Sequence, residues 1–132
     1  MQYPMFVLVM LTFFVGILTI RARIISIVKR QISMKFYQLM EGSDVPEAIT
    51  KTTRCFNNLF EVPVLFYVSA TLQLALAIED PLSIILAWVF VGFRVTQASI
   101  HLSYNNVYHR LICFWLGFFT VVGLWINFMF LL

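Results

Sequence analysis

Four long apolar runs, each about the length of a membrane-spanning helix, limit what this chain can fold into more than any other feature. The first run covers about Tyr3 to Ile20 and contains no charged residue, and about 20 helical residues suffice to cross a bilayer. Hydrophobic residues make up 61% of the 132 residues and charged residues only 11%, which is far from the composition of a soluble domain. The sequence therefore predicts an all-α membrane protein with one four-helix domain over residues 1–132.

The positive charges next to the first run indicate a retained membrane helix. Arg21 and Arg23 follow the apolar run, whereas a cleavable signal peptide carries its positive charges before it. Isoleucines and valines recur between the basic residues at helical spacing, so we expect the helix to continue beyond the membrane as a basic, amphipathic extension. The basic residues of this extension are Arg21, Arg23, Lys29, Arg30 and Lys35.

Residues 41–53 form the most polar region of the chain. Gly42 is typical of a helix end, and Ser43-Asp44 is typical of a capping site for the next helix. Proline is favoured in the first turn of a helix, so the second helix is predicted to run from about Pro46 to Ile78. This length exceeds the thickness of a bilayer, and the early turns should lie at or outside the membrane surface.

A short turn at residues 79–81 separates the second helix from the third. Asp80 can cap the third helix and proline can start it, which predicts a helix from about Pro81 to Leu102. After a second turn at residues 103–106, the fourth helix covers about Tyr108 to Leu132. Because these connections are short, neighbouring helices should be antiparallel.

The distribution of charge predicts the orientation and excludes some classes of partner. Seven of the nine basic residues lie between Arg21 and Arg54, so the positive-inside rule places the basic connections in the cytoplasm and both termini on the other side. These residues can also contact anionic membrane lipids. They flank apolar runs and form no basic patch, so we expect no nucleic-acid binding. Two isolated cysteines, Cys55 and Cys113, predict neither a disulfide framework nor a metal site.

Polar residues recur along the second helix at a spacing of four and then three residues. Arg54, Asn58 and Glu61 therefore share one face if this helix is continuous. Glu61 lies about eight residues below the expected membrane surface, or roughly 12 Å at 1.5 Å per residue. A charge at this depth is costly unless it is paired, so this face should have a partner inside the bundle.

The third helix carries a similar polar face, formed by Arg94, Gln97 and His101. Arg94 lies at the same expected depth as Glu61, and we predict that these two side chains face each other. The two faces together could line a polar cleft that opens to the cytoplasm. The alternative is that these residues form hydrogen bonds between helices and have no further role. Further polar residues follow at the next turn: Tyr104, Tyr108 and Arg110.

The pattern Arg54-x-x-x-Asn58-x-x-Glu61-x-Pro63, in the second of four membrane helices, resembles the signature of the MAPEG family. This family comprises membrane-associated proteins of eicosanoid and glutathione metabolism, including the microsomal glutathione transferases. The resemblance covers the whole chain, because its length, its four helices and its short later loops also match.

A second motif supports the resemblance. Arg94, with polar residues three and seven positions further on and Arg110 sixteen positions further on, is similar to the family's second motif. The segment from Ile100 to Asn105 is closer to a bacterial branch than to the eicosanoid enzymes, which implies the inner membrane of a bacterium.

The resemblance implies a homotrimer that binds glutathione between neighbouring protomers. Glutathione carries two carboxylates, an amine and a thiol, so cations, an anion and amides suit its binding. The resemblance assigns this binding to three residues of one protomer and three of the next: Arg54, Asn58 and Glu61, and Arg94, Gln97 and His101.

The resemblance also implies roles for arginines outside these two faces. Arg110 matches the arginine that stabilises the glutathione thiolate, and a nearby cation lowers the pKa of a thiol. Either Arg21 or Arg23 would contact a carboxylate of glutathione.

The expected function is that of a glutathione-dependent transferase or peroxidase in the membrane. Its second substrate would be a hydrophobic or lipid-derived electrophile that reaches the thiolate from the bilayer. The family also contains a non-catalytic member, so a lipid- or glutathione-binding scaffold protein is the alternative. A small transporter subunit or a purely structural membrane protein is a third interpretation.

Overall fold

The computed structural model describes residues 1–33, 36–39 and 45–132, and α-helices dominate this part of the chain, which is 83% helical and has no strands. Four segments are long and apolar enough to cross a membrane, with α3 and α4 together forming the second of them. The prediction of an all-α chain with four membrane spans is therefore confirmed. The helices are α1 (Gln2–Val28), α2 (Phe36–Leu39), α3 (Glu47–Asn58), α4 (Val62–Ala75), α5 (Pro81–Leu102) and α6 (Val107–Leu131).

The first helix continues beyond its apolar run, as predicted. It includes Arg21 and Arg23 and ends at Val28, after 27 residues. Arg30 then has a φ of 54°, a left-handed conformation that does not continue a right-handed helix. The remaining part of the predicted extension at Lys35, and the predicted helix stop and cap at residues 42–44, lie outside the described residues.

The second membrane span is broken, which corrects the prediction of one continuous helix from Pro46 to Ile78. Helix α3 ends at Asn58, and α4 begins at Val62 and ends at Ala75. Pro63 causes the break, because it has no N–H to donate to the carbonyl of Leu59 and its ring would clash with that carbonyl in a continuous helix. As the second residue of α4, Pro63 occupies a position where the missing N–H costs little.

The two turns at the ends of α5 follow the sequence closely. The Asp80 carboxylate accepts a hydrogen bond of 2.7 Å from the backbone N–H of Ser83, and Pro81 is the first residue of α5. This confirms the predicted cap. At the other turn, the side chain of Asn106 accepts a hydrogen bond of 3.1 Å from the N–H of His109 and caps α6.

The core of the bundle lies where α5 and α6 pack against α4 and α1. Phe66 of α4 and Phe90 of α5 are fully buried there, with ring centroids 5.0 Å apart. A second, smaller cluster joins α1, the end of α3 and α5, and contains Val15, Cys55 and Ala98. This smaller cluster places α3 beside the polar face of α5.

Candidate functional site

Four of the residues predicted for the site come together around one small cavity. Asn58, at the end of α3, lines it together with three residues of α5: Arg94, Gln97 and His101. The cavity has a volume of about 10 Å³, close to the least that holds one water molecule. The polar face predicted for the third membrane helix therefore points inward, towards the end of α3.

Arg94 is the most unusual member of this group, because its charged side chain is only 1% exposed. Its Nη1 donates a hydrogen bond of 2.9 Å to Oε1 of Gln97. Its Nε and Nη2 are buried and have no hydrogen-bond partner. Buried donors without an acceptor cost free energy, especially on a charged group, so this guanidinium has two nitrogens, Nε and Nη2, with N–H groups to offer to an acceptor from outside the chain.

Cationic side chains lie near His101, which lines the cavity. His101 is 1% exposed, and the charges of Arg110, Arg54 and Lys51 are close enough to act on it. With the buried guanidinium of Arg94, cationic groups outnumber the carboxylates nearby, of which Glu61 acts on Arg94 and Glu47 pairs with Lys51. Such an arrangement favours an anionic ligand.

The predicted pairing of Glu61 with Arg94 is not formed within the chain. Glu61 occupies the N-cap position of α4 without a capping hydrogen bond and is exposed, although its charge is close enough to attract the guanidinium of Arg94. In the part of the chain that the structure describes, the one ion pair joins Lys51 to Glu47 at 2.7 Å. The physical reason is the break, because the residues after it do not continue the face of α3.

The same break separates Glu61 from Arg54 and Asn58, which lie one turn apart on α3. Asn58 lines the cavity, whereas Arg54 and Glu61 are exposed. The prediction that all three share one side of a continuous helix is therefore wrong.

The two arginines of α1 differ in their surroundings. Arg21 is exposed, whereas Arg23 is partly buried. Nη2 of Arg23 donates a hydrogen bond of 3.4 Å to Oγ1 of Thr53, and its Cζ lies 5.7 Å from the ring centroid of Tyr37. Arg23 thus packs against α3 and α2, and Arg21 remains on the outer surface of the chain.

Arg110 lies in the first turns of α6, close to the cavity. Its Nη1 donates a hydrogen bond of 2.8 Å to Oδ1 of Asn105, and its Nε is buried without a partner. Its charge acts on both Cys55 and His101. The side chain is therefore anchored at one end and still has an N–H without an acceptor.

An apolar groove beside the cavity was not predicted from the sequence. It has a volume of about 560 Å³ and lies between α1, from Val9 to Ile20, and the residues around the helix break. The missing side chain at Gly16 leaves room for the ring of Phe56 beside α1, because a Cβ at residue 16 would lie 3.2 Å from that ring. Leu59 lines both the groove and the polar cavity. A glycine within an uncharged apolar run was the available sequence signal.

Among the described residues, no three His, Cys, Asp or Glu side chains group closely enough to hold a metal ion. The polar groups that line the cavity are a guanidinium, two amides and an imidazole. These groups bind anions and donate hydrogen bonds to them.

The fold and the site define a class of protein: a multi-pass membrane protein whose helices bury an arginine-centred polar site between them. The family model of the MAPEG family matches residues 1–130, nearly the whole chain. The chain therefore belongs to the MAPEG family, which confirms the resemblance noted from its motifs. No curated protein and no solved structure matches it. Membership supports, in general terms, a function in glutathione or eicosanoid metabolism at the membrane.

Proposed function

We propose that this protein is a glutathione-dependent transferase or peroxidase that acts on hydrophobic electrophiles or lipid hydroperoxides within the membrane. The observation that carries this proposal is the buried guanidinium of Arg94, in which two nitrogens have no hydrogen-bond acceptor. Asn58, Gln97 and His101 line the same cavity. Cations and amides are the groups that the carboxylates and peptide bonds of glutathione need, and membership of the MAPEG family supports the same ligand.

The proposed binding site involves more than one copy of the chain. The cavity of about 10 Å³ is far smaller than the roughly 300–1,000 Å³ of ordinary ligand sites. Arg54 and Glu61 are charged and exposed, and charges on membrane helices usually face a partner or a polar cavity. We therefore propose a homotrimer in which these two side chains complete the site of a neighbouring protomer.

Arg21 is proposed to contact a carboxylate of glutathione from the outer surface of α1, where it is exposed. Arg23 is the alternative, although its guanidinium already contacts Thr53 and Tyr37. Replacing each arginine with glutamine in turn, and measuring the dissociation constant of glutathione, distinguishes them. The residue in contact should show a weakening of roughly 10- to 100-fold, because a hydrogen bond to a charged group contributes about 1.5–3 kcal/mol.

Arg110 is proposed to stabilise the thiolate of glutathione. A guanidinium keeps its charge at any physiological pH, and a nearby cation lowers a thiol pKa from about 8.5 towards neutral. In conjugation, the sulfur of the thiolate would form a carbon–sulfur bond while the bond to the electrophile's leaving group breaks, or while an activated double bond opens and takes up a proton from water. With a lipid hydroperoxide, the sulfur would attack the outer oxygen, the O–O bond would break and the lipid alcohol would leave, and a second glutathione would then form the disulfide and release water. The groove of about 560 Å³ gives a molecule dissolved in the bilayer a route to the neighbourhood of this sulfur.

Thiolate formation tests this proposal directly. Purified protein in detergent is mixed with glutathione, and the thiolate is measured by its ultraviolet difference absorbance. We expect a signal from the natural protein, a loss of most of it in Arg110→Ala, and no change in Lys29→Ala, which removes an exposed charge. The proposal fails if the natural protein gives no thiolate signal and glutathione does not protect it against heat. A signal that persists in Arg110→Ala would instead remove the role of that arginine.

A non-catalytic scaffold that binds lipid or glutathione is the second candidate function. The observation that favours it is the apolar groove, which is large enough for a lipid chain and lies at the helix break. Protection against heat by a lipid, without any thiolate signal, would support this candidate over the first.

The membrane location is also a proposal in its details. We propose the inner membrane of a bacterium, with the basic end of α1 in the cytoplasm, because basic segments favour that side. Cysteines introduced at Lys29 and at Ala77 should then differ in their reaction with a thiol reagent that cannot cross membranes. In intact cells with a permeable outer membrane, only the cysteine at residue 77 should react.

A further inference from the structure

The guanidinium of Arg94 packs against two phenylalanine rings from different helices. Its Cζ lies 5.2 Å from the ring centroid of Phe90, on α5, and 5.4 Å from that of Phe114, on α6. Phe90 is fully buried and Phe114 is partly buried. The face of an aromatic ring attracts a cation within about 6 Å of its centroid, and the attraction is strongest where water is excluded. These rings therefore replace part of the hydration that Arg94 loses inside the bundle.

The hydrogen bonds of Arg94 involve only part of its guanidinium. Gln97 accepts a hydrogen bond from Nη1, whereas Nε and Nη2 have no acceptor. A structural carboxylate partner would typically accept from two N–H groups of a guanidinium at once. An aromatic ring attracts the positive charge through the face of the ring and leaves the N–H groups at the edge of the guanidinium without an acceptor. The contacts of Arg94 thus hold its guanidinium in place and leave Nε and Nη2 without an acceptor.

We infer that Phe90 and Phe114 are positioning residues, which hold Arg94 as a cation inside the bundle while its Nε and Nη2 remain available to an anionic ligand. The identity of that anion as a carboxylate or thiolate of glutathione rests on the proposed function. The hold of the two rings on the guanidinium does not, because it is formed by this chain alone.

Phe114 is the better of the two rings for an experiment. Phe90 lies in the centre of the main core against Phe66, so its removal would open a core cavity and destabilise the fold whatever its effect on Arg94. Phe118 provides the matched control. It lies one helical turn beyond Phe114, is also partly buried, and packs against the same core, while its ring contacts Trp115 and Phe119.

A double-mutant cycle measures the interaction between Arg94 and Phe114 in the absence of ligand. Arg94→Gln and Phe114→Leu are combined, and the equilibrium constant for unfolding is measured by reversible denaturation in detergent. We expect the two changes to be coupled by about tenfold in that constant, as for a cation–aromatic contact shielded from water. The same cycle with Phe118→Leu should show coupling of less than about twofold, because these residues are not in contact. Equal coupling in the two cycles would overturn the inference.

The affinity for glutathione then tests the positioning itself. Phe114→Leu should weaken binding about tenfold, Phe114→Tyr should bind as the natural protein does because its ring is retained, and Phe118→Leu should leave binding unchanged. Unaltered affinity in Phe114→Leu, or a loss that Phe114→Tyr does not restore, would contradict a positioning role.

Two further outcomes remain decisive. If the natural protein does not bind glutathione, the proposed function fails, and the double-mutant cycle alone decides whether the rings hold Arg94. If Phe114→Leu does not fold, trifluorophenylalanine at residue 114 replaces it, because fluorine keeps the shape of the ring and weakens its attraction for a cation. Coupling to Arg94 that survives this fluorination would overturn the inference.

Discussion

Two polar clusters lie at opposite ends of α5, and they differ in how completely their hydrogen bonds are satisfied. At the start of the helix, Nδ2 of Asn127 donates to Oδ2 of Asp80 at 2.7 Å and to Oγ of Ser83 at 2.9 Å. Towards its other end, Arg94 is held by Gln97 and two rings and retains two unpaired donors. The first cluster is a completed link between α5 and α6, whereas the second can still accept a partner.

Hydrogen-bond pairing distinguishes structural from functional polar groups in a membrane chain. A polar group that serves only the fold is expected to be paired, since pairing is what makes its burial tolerable. A group that serves a ligand keeps donors for that ligand and carries a cost until the ligand binds. Substitutions in the two clusters should therefore have opposite effects on stability.

The largest effect is expected for Arg94→Met. Removing a buried cation whose donors are incompletely paired should raise the free energy of unfolding by about 2 kcal/mol, since apolar replacement of buried charges is often stabilising. Protection of the protein by glutathione should disappear. Denaturation in detergent, with and without glutathione, measures both effects. A marked loss of stability without ligand would place Arg94 among the structural polar groups, like Asn127.

Asn127→Leu should act in the opposite direction. It removes two hydrogen bonds between α6 and the start of α5, one of them to a carboxylate, so the free energy of unfolding should fall by about 1–2 kcal/mol. The affinity for glutathione should not change. Asn57→Leu, at an exposed position of α3, is the control and should have little effect. If Asn127→Leu were as stable as Asn57→Leu, the hydrogen bonds between α5 and α6 would make no contribution to stability.

A smaller effect is expected from pH, through Asp80 in the turn outside the membrane spans. The hydrogen bond from the backbone N–H of Ser83, with further ones from Asn127 and from the side chain of Ser83, lowers the pKa of Asp80 below its ordinary value. Since the folded-state pKa is the lower one, its stabilisation is complete above the ordinary pKa of about 4. It is lost as the pH falls through the folded-state value.

Thermal denaturation between neutral pH and about pH 3 measures this contribution. The natural protein should lose more stability on acidification than Asp80→Asn, whose side chain does not titrate. Glu79→Gln, at the exposed neighbouring position, should behave as the natural protein does. The role of Asp80 is contradicted if acidification affects the natural protein and Asp80→Asn alike.

The smallest effect is expected for Gln73→Leu, at a buried and partly unpaired amide that lies outside the cavity of Arg94. Gln73 is fully buried in α4 and donates to Oγ of Ser69 at 3.3 Å, but its Oε1 has no partner. Replacing this amide with a side chain of similar size should change stability by less than about 1 kcal/mol. Glutathione binding should be unaffected, because Gln73 does not line the cavity of Arg94. If Gln73→Leu lost its affinity for glutathione, the binding site would extend beyond the cavity of Arg94 to Gln73.

The order of the helices and the inward face of α5 could be predicted because they depend on local pattern. Asp80 and Pro81 specify the start of α5 through capping and fixed backbone geometry. Arg94, Gln97 and His101 share a face through helical spacing alone. These features need no knowledge of neighbouring helices.

The parts that could not be predicted depend on a broken helix or on contacts between helices. The apolar run continues past Pro63, so hydrophobic pattern favoured one long helix, although the chemistry of proline opposed it. The position of Glu61 relative to Arg94 changed with that break. The contact of Arg94 with Phe114 depends on the rotation of α5 against α6, which spacing within one helix does not determine.

The position of Leu59 has a consequence for how two different solvents meet in this molecule. Its side chain lines the polar cavity on one side and the apolar groove on the other. Leu59 is thus an uncharged side chain shared by a lining of cationic and amide groups and a lining of apolar groups. In the proposed function, the size of residue 59 would limit how closely glutathione and an apolar substrate approach each other.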